Sequence, residues 1–168
     1  FFAIKTATND GANYIPALQA QGVQAFVVGD SIAALQQLAA HIRNQFDGIV
    51  IGITGSNGKT VVKEWLYQLL KDDYHVIRSP KSYNSQIGVP LSVWEVESSE
   101  YGVVRSEKPT LCIFEAGISQ PGEMERLEKM IRPTIGVVTY IGQEHGENFV
   151  SLEQKREELG FNDPLLVR

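Results

Sequence analysis

The chain has 168 residues, 43% hydrophobic and 21% charged, with a formal net charge of −5. That is enough length for one substantial core, or for one domain with part of another. The acidic balance argues against a general binder of nucleic acid or of membrane surfaces, and no apolar run approaches the length of a membrane span.

Residues 1–46 read as a small α/β unit. Phe1-Phe2-Ala3-Ile4 is strand-like, and Asp10-Gly11 marks a turn. Ile15 to Gln21 predicts a short helix stopped by Gly22, and Val23 to Val28 a second strand stopped by Gly29. Ser31 is placed to cap a helix whose apolar residues Ile32, Leu35, Leu38, Ala39 and Ile42 keep helical spacing. Asp47-Gly48 is the expected junction, which divides the chain into 1–46 and 47–168.

Beyond the junction, strands and helices alternate. Ile49–Thr54 predicts a strand and Thr60–Leu70 a helix, with Val62, Trp65, Leu66, Leu69 and Leu70 on one face. A short strand is expected around His75–Ile77, followed by the polar loop Ser79–Gln86. Ile87–Val96 predicts a helix that tolerates Pro90 in its first turns. Thr110–Glu115 reads as a buried strand ending in a carboxylate, and its Cys112, the single cysteine, is expected to pack as a small apolar residue. Pro121–Ile131 predicts a helix, Ile135–Ile141 a strand, and Ser151–Leu159 a helix capped by Ser151. Apolar strands alternating with helices imply a parallel sheet with helices on both faces. Trp65 and Trp94 are expected in the core, His41 and His75 in structural or solvent-facing places, and the acidic runs Glu97–Glu100 and Glu123–Glu128 on solvated faces.

The strongest chemical signal is Gly52-Ile53-Thr54-Gly55-Ser56-Asn57-Gly58-Lys59-Thr60, set between the apolar strand and the amphipathic helix. Strand, glycine loop and helix form the layout of a phosphate-binding loop, here in the shorter form Gly55-x-x-Gly58-Lys59-Thr60, because Ile53 stands where a longer form has its first glycine. Backbone N–H groups of Gly55, Ser56, Asn57 and Gly58 and the positive end of the helix favour an anion. Lys59 would reach the outer phosphates, and the Thr60 hydroxyl would hold Mg²⁺. A glycine turn beside a chance Lys-Thr is the alternative, and the flanking strand and helix count against it. In an open parallel sheet, ligands bind beyond the carboxyl ends of the strands. Two further strand tips carry useful groups, Glu115-Ala116-Gly117 and Gly142-Gln143-Glu144-His145. A hydroxyl, a carboxylate and an imidazole around a triphosphate compose a plausible Mg²⁺ site. Taken singly, Glu115 reads equally well as a helix cap or a lysine partner, and His145 as a surface histidine.

Together these residues resemble the Mur ligase family, the ATP-dependent amide-bond enzymes of bacterial cell-wall (peptidoglycan) synthesis. Ile53–Thr60 is similar to the family's phosphate loop. Val61-Val62-Lys63-Glu64 is similar to the branch that adds D-alanyl-D-alanine to UDP-N-acetylmuramoyl-tripeptide, and Ser82-Tyr83-Asn84-Ser85-Gln86-Ile87-Gly88-Val89-Pro90-Leu91 resembles that branch's substrate-side loop. The Tyr-Asn-Ser-Gln form resembles the version in Bacteroidetes, where the ligase is fused to an alanine racemase. Phe1–Lys5, Asp10-Gly11 and Tyr14-Ile15 resemble part of the N-terminal domain that holds the UDP-sugar. The resemblance implies that Lys59 binds ATP phosphates, that Thr60 and Glu115 hold Mg²⁺, that His145 holds a second Mg²⁺, and that Asn84 and Ser85 lie near the substrate. It implies transfer of the γ-phosphate to a substrate carboxylate, then attack by an amine, in the cytoplasm.

Departures from the family pattern are specific. Tyr140 stands where the family usually has Asn. The family bridges its metals with a carbamylated lysine, and an ungapped reading from His145 puts Leu159 at that position, with Lys155, one helical turn earlier on the same face, as the catalytic candidate to take its place beside Lys59 and His145. The tail 160–168 does not match the pattern. The chain starts on Phe1 and is expected to be an incomplete, inactive piece of a longer ligase whose remaining domains complete the site. Two alternatives stand: a muramyl-tripeptide or folate polyglutamate ligase of the same family, and a non-catalytic nucleotide-binding module, which Leu159 favours.

Overall fold

A computed structural model describes residues 3–5, 7–24, 28–97, 110–142, 148–159 and 166–167. After a 3-10 turn at Gly11–Tyr14 come α1 (Ile15–Ala20) and α2 (Ser31–Asn44). The alternating part follows: β1 (Ile49–Thr54), α3 (Lys59–Leu70), β2 (Val76–Arg78), α4 (Gly88–Trp94), β3 (Leu111–Glu115), α5 (Glu123–Ile131), β4 (Ile135–Val138), α6 (Leu152–Glu158) and β5 (Leu166–Val167). The strands form a parallel sheet in the order β2-β3-β1-β4-β5. The expected α/β sheet with helices on both faces is therefore present. Its short edge strand β5 lies in the tail, where none was expected.

Alternation along the strands explains the two-sided burial. Val50, Ile77, Cys112 and Phe114 face one way, against Ala39 of α2, Val89 and Val93 of α4, and Leu127, Met130 and Ile131 of α5. Ile51, Ile53, Leu111 and Ile113 face the other way, against Val62, Leu66, Tyr67 and Leu70 of α3. Ile53, Ile113 and Phe114 are fully buried, each contributing about 2 kcal/mol by loss of apolar surface to water. α2 packs on α4 and α5. Arg43 fixes that contact: its guanidinium donates to the carbonyls of Ile131 (2.6 Å), Arg132 (2.7 Å) and Phe46 (2.8 Å). Burial pulls its pKa below the usual arginine value.

Several local expectations are corrected. Trp65 is not a core residue: it is 66% exposed, and Leu69 is 73% exposed. The buried face of α3 centres instead on Lys63, which has no exposed surface. Trp94 is only half-buried. The cap of α2 is Asp30, whose carboxylate accepts from the amides of Ile32 and Ala33, while the Ser31 hydroxyl donates to Ala3 O. β4 stops at Val138, because Thr139 and Tyr140 leave the ladder to support the glycine loop. Glu123 is not a free solvated charge: its Oε2 accepts from Ser119 N (2.6 Å), Ser119 Oγ (3.0 Å) and Gln120 N (2.9 Å). Ala3 and Ile4 form no strand, and neither do Val23, Gln24 and Val28. Phe1, Phe2, residues 25–27, residues 98–100 of the acidic run, and most of the tail lie outside the described residues.

Candidate active site at the strand tips

The register of the central strands gathers the chemistry. β1 pairs with β3 so that Ile53 lies beside Glu115, and with β4 so that Thr54 lies beside Val138. The glycine loop, Glu115 and the Thr139–Gly142 segment therefore emerge side by side. Gly55 takes φ +129° and Gly58 φ +85°, conformations that side chains with a Cβ rarely adopt. The loop is held from the β4 side. Ser56 N donates to Tyr140 O (2.6 Å), and Thr139 Oγ1 donates to the carbonyls of Thr54 (3.2 Å) and Asn57 (2.5 Å). α3 starts at the end of the loop, so its first N–H groups point along the helix axis with no intrahelical acceptor. The Lys59 ammonium lies across the loop and donates to Gly55 O (2.5 Å) and Ser56 O (3.1 Å).

Glu115 has no exposed surface. Its Oε2 accepts from the Thr60 hydroxyl at 3.1 Å, and its Oε1 lies 2.9 Å from Lys63 Nζ. A hydroxyl and a carboxyl group side by side are hard oxygen donors of the kind Mg²⁺ uses, with phosphate and water completing its shell. Among the described residues, no three His, Cys, Asp or Glu side chains gather. The chain's donors thus suit Mg²⁺ at Thr60 and Glu115. His145, expected beside them, lies outside the described residues.

The lysine partner that the sequence leaves open for Glu115 is Lys63, which sequence reasoning does not single out. Lys63 reaches it from α3, with Glu64 alongside at 3.3 Å. Burial raises the Glu64 pKa, but the Arg78 guanidinium at 3.1 Å and the Lys63 ammonium outweigh it and hold the carboxyl below its ordinary value. Arg78 also stacks 3.6 Å over the Tyr67 ring. The signal available was a lysine flanked by Val62, Leu66 and Leu70, the apolar residues of its own helix face.

A cavity of about 250 Å³ opens beside the loop, lined in part by Ser56, Lys59, Asn84, Ser85, Lys155 and Leu159. It brings together the phosphate side, the polar loop and α6. The Asn84 carbonyl accepts from Gly117 N (2.7 Å), and Ser85 Oγ caps α4 by accepting from Gly88 N (3.1 Å). Lys155 is buried, and its Nζ donates to Gly142 O (2.9 Å) and to Ser56 Oγ (3.1 Å). Both Lys155 and Leu159 thus face the cavity, as one helical turn of separation predicts. A larger hollow of about 850 Å³ lies elsewhere, on the sheet face beside Gly52, Gly136 and Pro133. It lacks Gly55, Ser56 and Lys59 of the glycine loop, so the smaller cavity is the candidate site.

The described residues contain no helix long and apolar enough to cross a membrane. The Mur ligase middle domain matches residues 53–158. The UDP-N-acetylmuramoyl-tripeptide–D-alanyl-D-alanine ligase of Borreliella burgdorferi is 33% identical over 151 residues, covering 88% of this chain and 31% of that protein. The Bacillus subtilis enzyme of the same name is 34% identical over 127 residues, covering 76% and 26%. Among solved structures, MurF ligase from Thermotoga maritima in complex with ADP superposes with a TM-score of 0.80 at 30% identity, over 95% of this chain and 38% of that one. MurF from Acinetobacter baumannii gives 0.84 at 26% identity, over 99% and 38%. The chain spans about a third of the length of these relatives. Its parallel sheet, glycine loop and matched middle domain lead to one assignment: the chain belongs to the Mur ligase family.

Proposed function

We propose that this chain is the ATP-handling part of a cytoplasmic ligase that joins D-alanyl-D-alanine to UDP-N-acetylmuramoyl-tripeptide. The observation that carries the reading is the convergence of the glycine loop, Thr60 and Glu115 at adjacent strand tips, in a chain whose relatives bear that name. In the proposed reaction, an oxygen of the tripeptide carboxylate attacks the γ-phosphorus of ATP, and the bond to the ADP oxygen breaks. The amine of the dipeptide then attacks the acyl carbon, loses a proton, and expels phosphate. A carboxylate is a poor electrophile, and phosphorylation gives it a leaving group.

The chain's own residues bind and orient. The loop N–H groups and Lys59 would hold the phosphates, with the Lys59 ammonium exchanging its carbonyl partners for phosphate oxygens. Thr60 and Glu115 would hold Mg²⁺, which offsets charge on the phosphates. Asn84 and Ser85, across the cavity, would face the tripeptide carboxylate. Lys155 adds a buried positive charge to the same cavity and would stabilise the acyl phosphate electrostatically. His145 is proposed for a second Mg²⁺. Residues 1–46 would belong to the UDP-sugar side, with α2 fastening it to the ATP-binding part through α4 and α5.

The test is calorimetry with ADP and Mg²⁺. Lys59→Ala should lower affinity at least tenfold, about 1.4 kcal/mol, with the circular dichroism spectrum unchanged. Equal affinity in wild type and variant refutes the phosphate-loop role.

A further inference from the structure

We propose that Lys63 is a positioning residue: it aims the Glu115 carboxylate at the divalent cation and fastens the Ser79–Gln86 loop to the phosphate-loop helix. This rests on the ATP-ligase reading above. Lys63 has no exposed surface. From the centre of the buried face of α3, its ammonium reaches two other pieces of structure, the Ser79–Gln86 loop and the end of β3. It donates to Ser79 O at 2.8 Å and to Lys81 O, and lies 2.9 Å from Glu115 Oε1 and 3.3 Å from Glu64 Oε1. Lys81 takes φ +49°, a left-handed conformation uncommon outside glycine, at the point where its carbonyl meets Lys63. Ser79 closes the arrangement, because its hydroxyl accepts from Glu115 N at 3.1 Å.

The geometry divides the carboxylate into two ends. Oε1 belongs to Lys63, and Oε2 is turned to Thr60. Only Oε2 is thereby presented to a cation at the Thr60 hydroxyl, as a single, fixed oxygen. Removing the ammonium takes the counter-charge from Oε1 and leaves the carboxylate oriented through the single hydrogen bond from Thr60. The same ammonium holds the loop at residues 79 and 81, and Gly117 N holds it at Asn84. One buried cation therefore sets the spacing between the phosphate side and the proposed carboxylate side. A lysine needed only for folding could be replaced by an apolar side chain of similar volume once its partner was neutralised too. A positioning lysine leaves a signature in the metal dependence of nucleotide binding.

The experiment measures ADP affinity of the full chain by calorimetry, in Mg²⁺ and in EDTA. It compares wild type, Lys63→Met and Lys63→Gln, with circular dichroism as the check on folding. The expected result is a Mg²⁺ enhancement in wild type that falls by about 10–100-fold in the variants, the usual cost of losing a residue that orients a metal ligand, while affinity in EDTA is kept. Glu115→Gln should lose the enhancement as well, and adding Lys63→Met to it should remove nothing further. An undiminished enhancement overturns the proposal. So does a parallel loss of affinity in both conditions, or failure of both variants to fold, because each assigns Lys63 to stability alone. Wild type that binds ADP without any Mg²⁺ enhancement overturns this proposal and leaves the phosphate-loop reading standing. Wild type that binds no ADP overturns the phosphate-loop reading itself.

Discussion

The two left-handed glycines of the phosphate loop should differ sharply in their tolerance of a methyl group. A Cβ on Gly55 would lie 2.3 Å from Thr139 Oγ1, 2.9 Å from Tyr140 O and 3.0 Å from Tyr140 N, at φ +129°. Two of those three neighbours are backbone and cannot rotate away. Strain at such a φ costs about 1–3 kcal/mol, and forcing atoms into a filled space costs about 1–3 kcal/mol more. A Cβ on Gly58 would meet only Thr139 Cβ, at 3.8 Å, so the positive φ of +85° is its whole penalty, about 1–2 kcal/mol. Urea unfolding should therefore show Gly55→Ala losing about 2–6 kcal/mol and Gly58→Ala no more than about 2 kcal/mol. Gly55→Ala should also weaken ADP binding, since the displaced segment carries the Ser56–Tyr140 hydrogen bond. In a Gly55→Ala/Thr139→Ala pair, only the clash with the hydroxyl is relieved, and rescue should be partial. Equal losses at the two glycines would refute the idea that packing from the β4 side shapes the loop.

Arg43→Met removes three hydrogen bonds from a guanidinium donor to main-chain carbonyls and should cost about 3 kcal/mol in urea unfolding; a loss under about 1 kcal/mol would mean that water replaces them. Glu64 has a folded pKa below its ordinary value, so its contribution is present above that value and is lost as pH falls through the depressed folded pKa. The difference in Tm between wild type and Glu64→Gln should thus be largest near neutral pH and shrink in acid below the ordinary value of 4.5. A difference independent of pH would show that the Arg78 contact is not electrostatic.

The strands and the loop were legible because their signals are local. Unbroken apolar runs mark strands covered on both faces, and glycines before Lys-Thr mark an anion loop. Helix α3 shows the limit. Its apolar residues spread over more than one face, and counting Trp65 and Leu69 as buried rotated the reading away from Lys63. A lysine at the centre of a core face is acceptable only with distant partners, and those are Glu115 and the carbonyls of residues 79 and 81. Nothing in the local sequence announces such pairings. The same holds for Arg43, whose acceptors at the C-terminal end of α5 and just past it are separated from it by 88 and 89 positions. Lys155 was found because its spacing from Leu159 is helical, but its bond to the loop serine was not legible. The convergence of Thr60 and Glu115 was, since strand tips of a parallel sheet share one edge.

The loop's dependence on the β4 side has a consequence for how the protein comes into being. β1 is flanked only by strands from much later in the chain, β3 and β4, so no hairpin can assemble it early. Ser56 and its partner Gly142 are separated by 86 positions, and the bonds from Thr139 are nearly as distant. During synthesis, residues 49–60 leave the ribosome long before the β3 and β4 segments that flank and brace them. Their apolar strand must wait unpaired, which is the circumstance that makes parallel sheets slow to form and prone to association. Competence to hold a nucleotide therefore arises late, when Thr139–Gly142 docks. Before then, the glycine loop lacks the bonds from Thr139, Tyr140 and Gly142 that brace it.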